Sequence, residues 1–97
     1  MNSETYKIDL VEAATKEWRK LPPEIKNQFA DKLETLVKDP YQAPRLRGGL
    51  KNCFKIKLKS SGYRLVYKVN EKEIILLVVA VGKRNNNDIY KTAKSRV

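Results

Sequence analysis

Phe54-Lys55-Ile56-Lys57-Leu58-Lys59-Ser60-Ser61-Gly62-Tyr63-Arg64-Leu65-Val66-Tyr67-Lys68-Val69 is the most regularly patterned stretch of the chain. On both sides of Ser60-Ser61-Gly62, apolar and polar positions alternate with the period of two expected of strands that bury one face. The two serines and the glycine supply turn chemistry, so the stretch is predicted to be a β-hairpin. Phe54, Ile56 and Leu58 must share the buried face with Tyr63, Leu65, Tyr67 and Val69, which excludes half of the possible registers. One allowed register sets Lys57 opposite Arg64; the next sets Lys59 there and moves Lys57 to the neighbouring rung. In either, Lys55, Lys57, Lys59 and Arg64 crowd onto one face. Like charges facing each other destabilise a sheet, so the cluster implies a polyanionic ligand. The competing reading, a solvated face or a guard against edge pairing, is the better one for Lys59 beside the turn. It is the poorer one for Lys55 and Lys57, which share their face with Arg64.

Downstream, Asn70-Glu71-Lys72 makes the next turn, and Glu73 to Val81 is almost wholly aliphatic, as expected of a central strand covered on both faces. Gly82 to Asn87 breaks the pattern and brings Lys83 and Arg84 out beside the basic hairpin. Asp88 is a candidate N-cap for a short last helix with Ile89, Ala93 and Val97 on one face. Little apolar area is available to that helix, which makes it the expected mobile element.

Upstream, Tyr6 to Leu10 alternates as a first strand. Ala14, Trp18 and Leu21 form the stripe of a helix over Glu12 to Lys20, stopped by Pro22 and Pro23. Pro23 opens a second helix in which Ile25, Phe29, Leu33, Leu36 and Val37 share a face until Asp39-Pro40, so the two helices are predicted to form an antiparallel hairpin. Pro40 to Asn52 has neither period and reads as a basic loop carrying Arg45, Arg47 and Lys51. Strand, helix, helix, three strands, helix is an α+β order: an N-terminal strand and helical hairpin packed on a mostly antiparallel four-stranded sheet, with a short C-terminal helix. Residues 1–97 are read as one domain without repeat or linker, in keeping with a chain of 97 residues.

Composition narrows the function. Twenty-one Lys and Arg against 11 Asp and Glu give a net charge of +10, which points first to nucleic acid, since each phosphate neutralised releases condensed counterions. An acidic protein or an anionic membrane surface would also satisfy it. Cys53 is the single cysteine and there is no histidine, so neither an internal disulfide nor a zinc site can form, and a reducing cytoplasm is the expected compartment. The start, Met1-Asn2-Ser3-Glu4-Thr5-Tyr6, lacks the basic and apolar segments of a signal peptide. The apolar run Ile74 to Val81 falls well short of the roughly 20 residues that span a bilayer as a helix.

Without histidine or a cysteine pair, and with few acids near the basic elements, the common acid–base and metal routes are closed. RNA offers another. Its 2′-hydroxyl can attack the adjacent phosphodiester, so an enzyme has only to accept that proton, surround the developing phosphorane with cations, and protonate the leaving 5′-oxygen. Lysine, arginine and tyrosine can fill these roles where neighbouring positive charge favours the deprotonated form of a tyrosine or lysine. This reading reaches Lys55, Lys57, Arg64 and Arg84. Tyr90, in the first turn of the last helix, reads without further information as a packing residue; Tyr63, Tyr67 and Trp18 read as core.

Lys16-Glu17-Trp18-Arg19-Lys20-Leu21, Leu46-Arg47-Gly48, Lys55-Ile56-Lys57-Leu58, Ser60 to Tyr67 and Val81-Gly82-Lys83-Arg84 together resemble the RelE toxins of bacteria, in order and over nearly the whole chain. The resemblance implies a RelE-like fold and a ribosome-dependent mRNA endonuclease, the toxin of a type II toxin–antitoxin pair, cutting the codon in the A site and needing no metal or organic cofactor. It implies catalytic roles for Lys55, Lys57, Arg64, Arg84 and Tyr90. Tyr90 would be the general base, Arg84 the acid for the leaving oxygen and Lys57 another candidate for proton transfer, while Lys55 and Arg64 would hold the phosphate. Arg45, Arg47, Lys51, Lys59 and Lys83 become candidate contacts to mRNA and to the 16S rRNA of the A site. The implied partners are the ribosome and a RelB-like antitoxin, an acidic or amphipathic segment that wraps the chain and covers or displaces part of the basic face. DNA would be met only through the antitoxin complex, and no membrane is involved. The alternative is a non-nuclease toxin of the same superfamily, resembling ParE, that poisons gyrase on DNA.

Overall fold

A computed structural model describes residues 5–46, 50–83 and 88–97, with the main chain alone at position 88. The elements are β1 (Lys7–Leu10), α1 (Glu12–Arg19), α2 (Pro23–Leu36), β2 (Cys53–Leu58), β3 (Tyr63–Asn70), β4 (Ile75–Lys83) and α3 (Asp88–Arg96). The four strands form one sheet in the order β1-β4-β3-β2. β2, β3 and β4 run antiparallel, while β1 lies parallel to β4. A parallel neighbour needs a crossover, and the segment containing α1 and α2 supplies it. The sheet is therefore mixed, with the antiparallel part predominant.

Pro23 stands at the start of α2, whose Ile25, Phe29, Leu33 and Leu36 are all buried. Spacings of three and four put these side chains on one stripe, and burial of each contributes about 1.5–3 kcal/mol. The stripe packs on Phe54, Ile56, Leu58, Leu65, Tyr67, Val69, Leu76, Val78 and Val81 to make the larger core, which Ala14 and Leu21 of the α1 segment join. Trp18 is half-buried at its margin, 6.3 Å between ring centroids from Phe29. A smaller core on the opposite face joins Ile89 and Ala93 of α3 to Leu50, Cys53, Val66, Val79 and Ala80. Two covered faces explain the aliphatic run of β4.

One irregularity tunes this arrangement. Val66 pairs with Ala80 but Tyr67 with Val78, so Val79 is an extra residue in β4. Such a bulge reverses the alternation beyond it: Leu76 and Val78 face the α1–α2 core before it, and Val81 after it. Gly62, at φ 78, closes the β2–β3 turn in a left-handed conformation that glycine adopts without a Cβ clash.

The elements differ from expectation in four places. β4 begins at Ile75 instead of Glu73, because Ile74 at φ 56 prolongs the turn, and it runs past Gly82 to Lys83, which pairs with Tyr63. Val97 lies beyond α3 and is 46% exposed, so only Ile89 and Ala93 make the buried stripe. The inner face of β1 is incompletely covered: Ile8 is 44% exposed above a groove formed with Tyr6, Leu10, Trp18, Leu33 and Val37. Within the predicted loop, Arg45 forms an isolated bridge with Phe54. The predicted Asp88 cap, Arg47 and Arg84 lie outside the described residues and side chains.

Candidate active site

The hairpin register sets Lys57 directly opposite Arg64. The amide of Lys55 donates outward to the carbonyl of Pro44 at 3.0 Å, so odd-numbered β2 residues turn their main chain away from β3. Lys57 and Arg64 therefore form a narrow, non-hydrogen-bonded pair, the kind in which Cα atoms approach to about 4.5 Å and side chains lie closest. On the other side of β3, Arg64 faces Gly82. Lys55, Lys57 and Arg64 thus share the face that carries α3.

α3 delivers the fourth member. Ile89 and Ala93 anchor the helix in the smaller core, and the intervening Tyr90 is held half-buried beside the basic strands. A guanidinium nitrogen of Arg64 donates to the Tyr90 hydroxyl at 2.9 Å. The Arg64 guanidinium carbon and the Lys55 ammonium each stand 5.7 Å from the centre of the Tyr90 ring, within the range of attraction between a cation and a π face. The phenol is thereby held at its oxygen by one cation and flanked at its ring by another. Next to a phosphodiester the same groups present charge to the phosphate and an oxygen capable of exchanging a proton.

The other predicted contacts distribute unevenly. Lys59 is exposed beyond β2; with Lys32, Lys55 and Lys57 it lines an edge groove that Asp31, Leu36 and Ile56 also line. Lys51 and Lys83 are exposed, Lys83 at the end of β4 nearest the basic face. Arg45 lies with its guanidinium carbon 5.3 Å from the Phe54 ring centre, a packing contact. Arg84 follows directly on Lys83 but is outside the described residues.

A family model described as the ParE toxin of type II toxin–antitoxin systems, parDE, matches residues 8–88. A putative RelE-like toxin of Escherichia coli is 45% identical over 92 residues, covering 95% of this chain and 97% of that protein. The mRNA interferase toxin RelE of E. coli K12 is 43% identical over 93 residues, again covering 95% and 97%. The chain belongs to the RelE toxins of that family. The fold agrees: a mutant of E. coli RelE in the free state superimposes with a TM-score of 0.86 at 41% identity, covering 96% of this chain and 98% of that one. The toxin in the intact E. coli RelBE toxin–antitoxin complex gives 0.78 at 44% identity over 84% of this chain and 99% of that one. Within this RelE-like framework two residues of the α3 environment escaped the sequence reading, Glu17 and Arg96. They pair at 2.8 Å, and no periodicity or motif connects positions on α1 and α3.

Proposed function

We propose that the chain is the toxin of a type II toxin–antitoxin pair and acts in the cytoplasm as an endoribonuclease on mRNA in the ribosomal A site. The observation that carries this reading is the Tyr90 hydroxyl held on Arg64 beside Lys55, in a chain 43% identical to a protein named mRNA interferase toxin RelE. In the reaction the 2′-oxygen forms a bond to phosphorus as its proton leaves, and the bond to the 5′-oxygen breaks as that oxygen gains a proton. The products are a 2′,3′-cyclic phosphate and a 5′-hydroxyl end. Tyr90 is assigned the proton from the 2′-hydroxyl, with Lys57 the other candidate, and Arg84 the proton for the leaving oxygen. Lys55 and Arg64 carry the phosphate charge.

The ribosome is needed because the site has cations and a phenol but no histidine matched to neutral pH. Holding the codon in an in-line geometry supplies the missing rate through orientation. A RelB-like antitoxin is assigned as the partner that restrains the toxin, in keeping with the relative seen in a toxin–antitoxin complex. No helix among the described residues is long and apolar enough to cross a membrane. The matching family model carries the ParE description, yet a protein that only binds gyrase has no need of a tyrosine positioned among cations.

The test is a purified translation system with an occupied peptidyl site and a defined A-site codon, in which mRNA ends are mapped with and without ribosomes. Cleavage confined to the ribosome-containing arm is expected. Intact mRNA in both arms, with inhibition of gyrase, would replace this reading by the ParE-like one.

A further inference from the structure

β1 ends at Leu10, opposite Val78. Beyond that point β4 continues to Lys83, and among the described residues no strand lies on its β1 side; its main-chain groups there need other partners. Two charged side chains fill the place. Glu17 of α1 accepts the Val81 amide at 3.2 Å, and Arg96, the last residue of α3, donates to the Val79 carbonyl at 2.9 Å. The two side chains also bind each other through both arms, at 2.8 and 3.1 Å. α1 packs with the larger core and α3 with the smaller one, so the pair closes around the sheet edge and ties the layers on its two faces together. It is the one ion pair found among the described residues.

We infer that Glu17 and Arg96 are positioning residues for the reaction: their ion pair fixes the C-terminal end of α3 and so keeps Tyr90 seated on Arg64. This rests on the endonuclease reading above. Six residues of helix rise about 9 Å, so Arg96 and Tyr90 grip α3 near its two ends, with Ile89 and Ala93 as its buried anchors. The fork of an arginine matches a carboxylate in two places and still reaches a carbonyl, which lysine cannot do with a single nitrogen. Opening the pair leaves the cations of β2 and β3 in place but unfixes the phenol, and misplacement by about 1 Å costs on the order of a hundredfold in rate.

The experiment compares wild type, Glu17→Gln, Arg96→Gln and Arg96→Lys, each also in a Tyr90→Phe background. Single-turnover cleavage on programmed ribosomes is read against toxin concentration, and hydrogen exchange of the α3 amides is read on the isolated proteins. The expected result is a loss of about tenfold or more in maximal rate with half-saturation unchanged, faster exchange in α3, partial rescue in Arg96→Lys, and no further loss once Tyr90 is Phe. An unchanged rate, a loss that multiplies with that of Tyr90→Phe, or a change confined to half-saturation would overturn the proposal. Should wild type leave mRNA uncut, the endonuclease reading fails by itself and exchange decides the latch: unaltered protection of α3 overturns it, and lost protection retains the pair as the lock on Tyr90.

Discussion

The Arg64 guanidinium and the Tyr90 hydroxyl, 26 positions apart in the chain, are joined by a 2.9 Å hydrogen bond that connects β3 to α3. The bond turns a strand cation and a helix phenol into a single unit, and it gives the phenol oxygen one defined position on the basic face. Energetic coupling between the two follows, because removal of either leaves the other without its orientation.

Tyr90→Phe keeps the ring beside Lys55 and removes only the oxygen. Single-turnover cleavage on programmed ribosomes should fall by about a hundredfold or more, with ribosome affinity within a few-fold of wild type. Combined with Arg64→Ala, the loss should be smaller than the product of the two single losses. Equal losses of binding and cleavage would remove Tyr90 from the chemistry.

Binding to ribosomes or to non-specific RNA should weaken steeply with salt, with log K falling linearly in log salt. Lys57→Gln should lower that slope by about 0.7–0.9, measured by titration at several potassium chloride concentrations. A slope unchanged by the substitution would place Lys57 away from the phosphates.

Cys53 is fully buried, and burial pushes its thiol above the ordinary range. The thiolate is the reactive form, so the native protein at neutral pH should resist a thiol-reactive dye for as long as it stays folded. Labelling should track the unfolding transition in urea. Rapid labelling of the native state would contradict the packing of the smaller core.

The Tyr67 hydroxyl donates to the carbonyl of Pro40 at 2.5 Å, and burial, with the Asp39 carboxylate nearby, pushes this phenol upward. A phenol raised in the folded state contributes stability that is complete below the unfolded value, about 10. That contribution is lost as pH rises, because the unfolded chain then binds fewer protons than the folded one. Urea midpoints should therefore fall from about pH 10 upward. Tyr67→Phe should flatten that fall while costing about 1–3 kcal/mol at neutral pH through the buried carbonyl left behind.

Much of the fold was legible because short-range periodicity reports burial directly. The stripe from Ile25 to Leu36, the alternation around Ser60-Ser61-Gly62 and the aliphatic run of β4 each gave the element that the structure contains. The bounds of β4 were less legible, since the length of a strand depends on its partner: Lys83 is in the sheet because Tyr63 is there to pair with it. Val79 as an extra residue left no mark, because valine suits both faces of a covered strand equally well.

For the candidate site, local alternation alone requires Lys55, Lys57 and Arg64 to share one face, since a period of two leaves no other outcome once Phe54, Ile56 and Leu65 are buried. It left open which lysine stands opposite Arg64, and it gave no physical reason for Tyr90, whose part came only from resemblance. The register and the place of Tyr90 came from the packing of one element on another. The register pairs Lys57 with Arg64, and the packing of Ile89 and Ala93 swings α3 over the sheet so that Tyr90 meets Arg64. The Glu17–Arg96 pair is likewise a product of three dimensions. Periodicity encodes which way a side chain points within its own element. Contacts between elements depend on where the chain returns, and no local pattern carries that information.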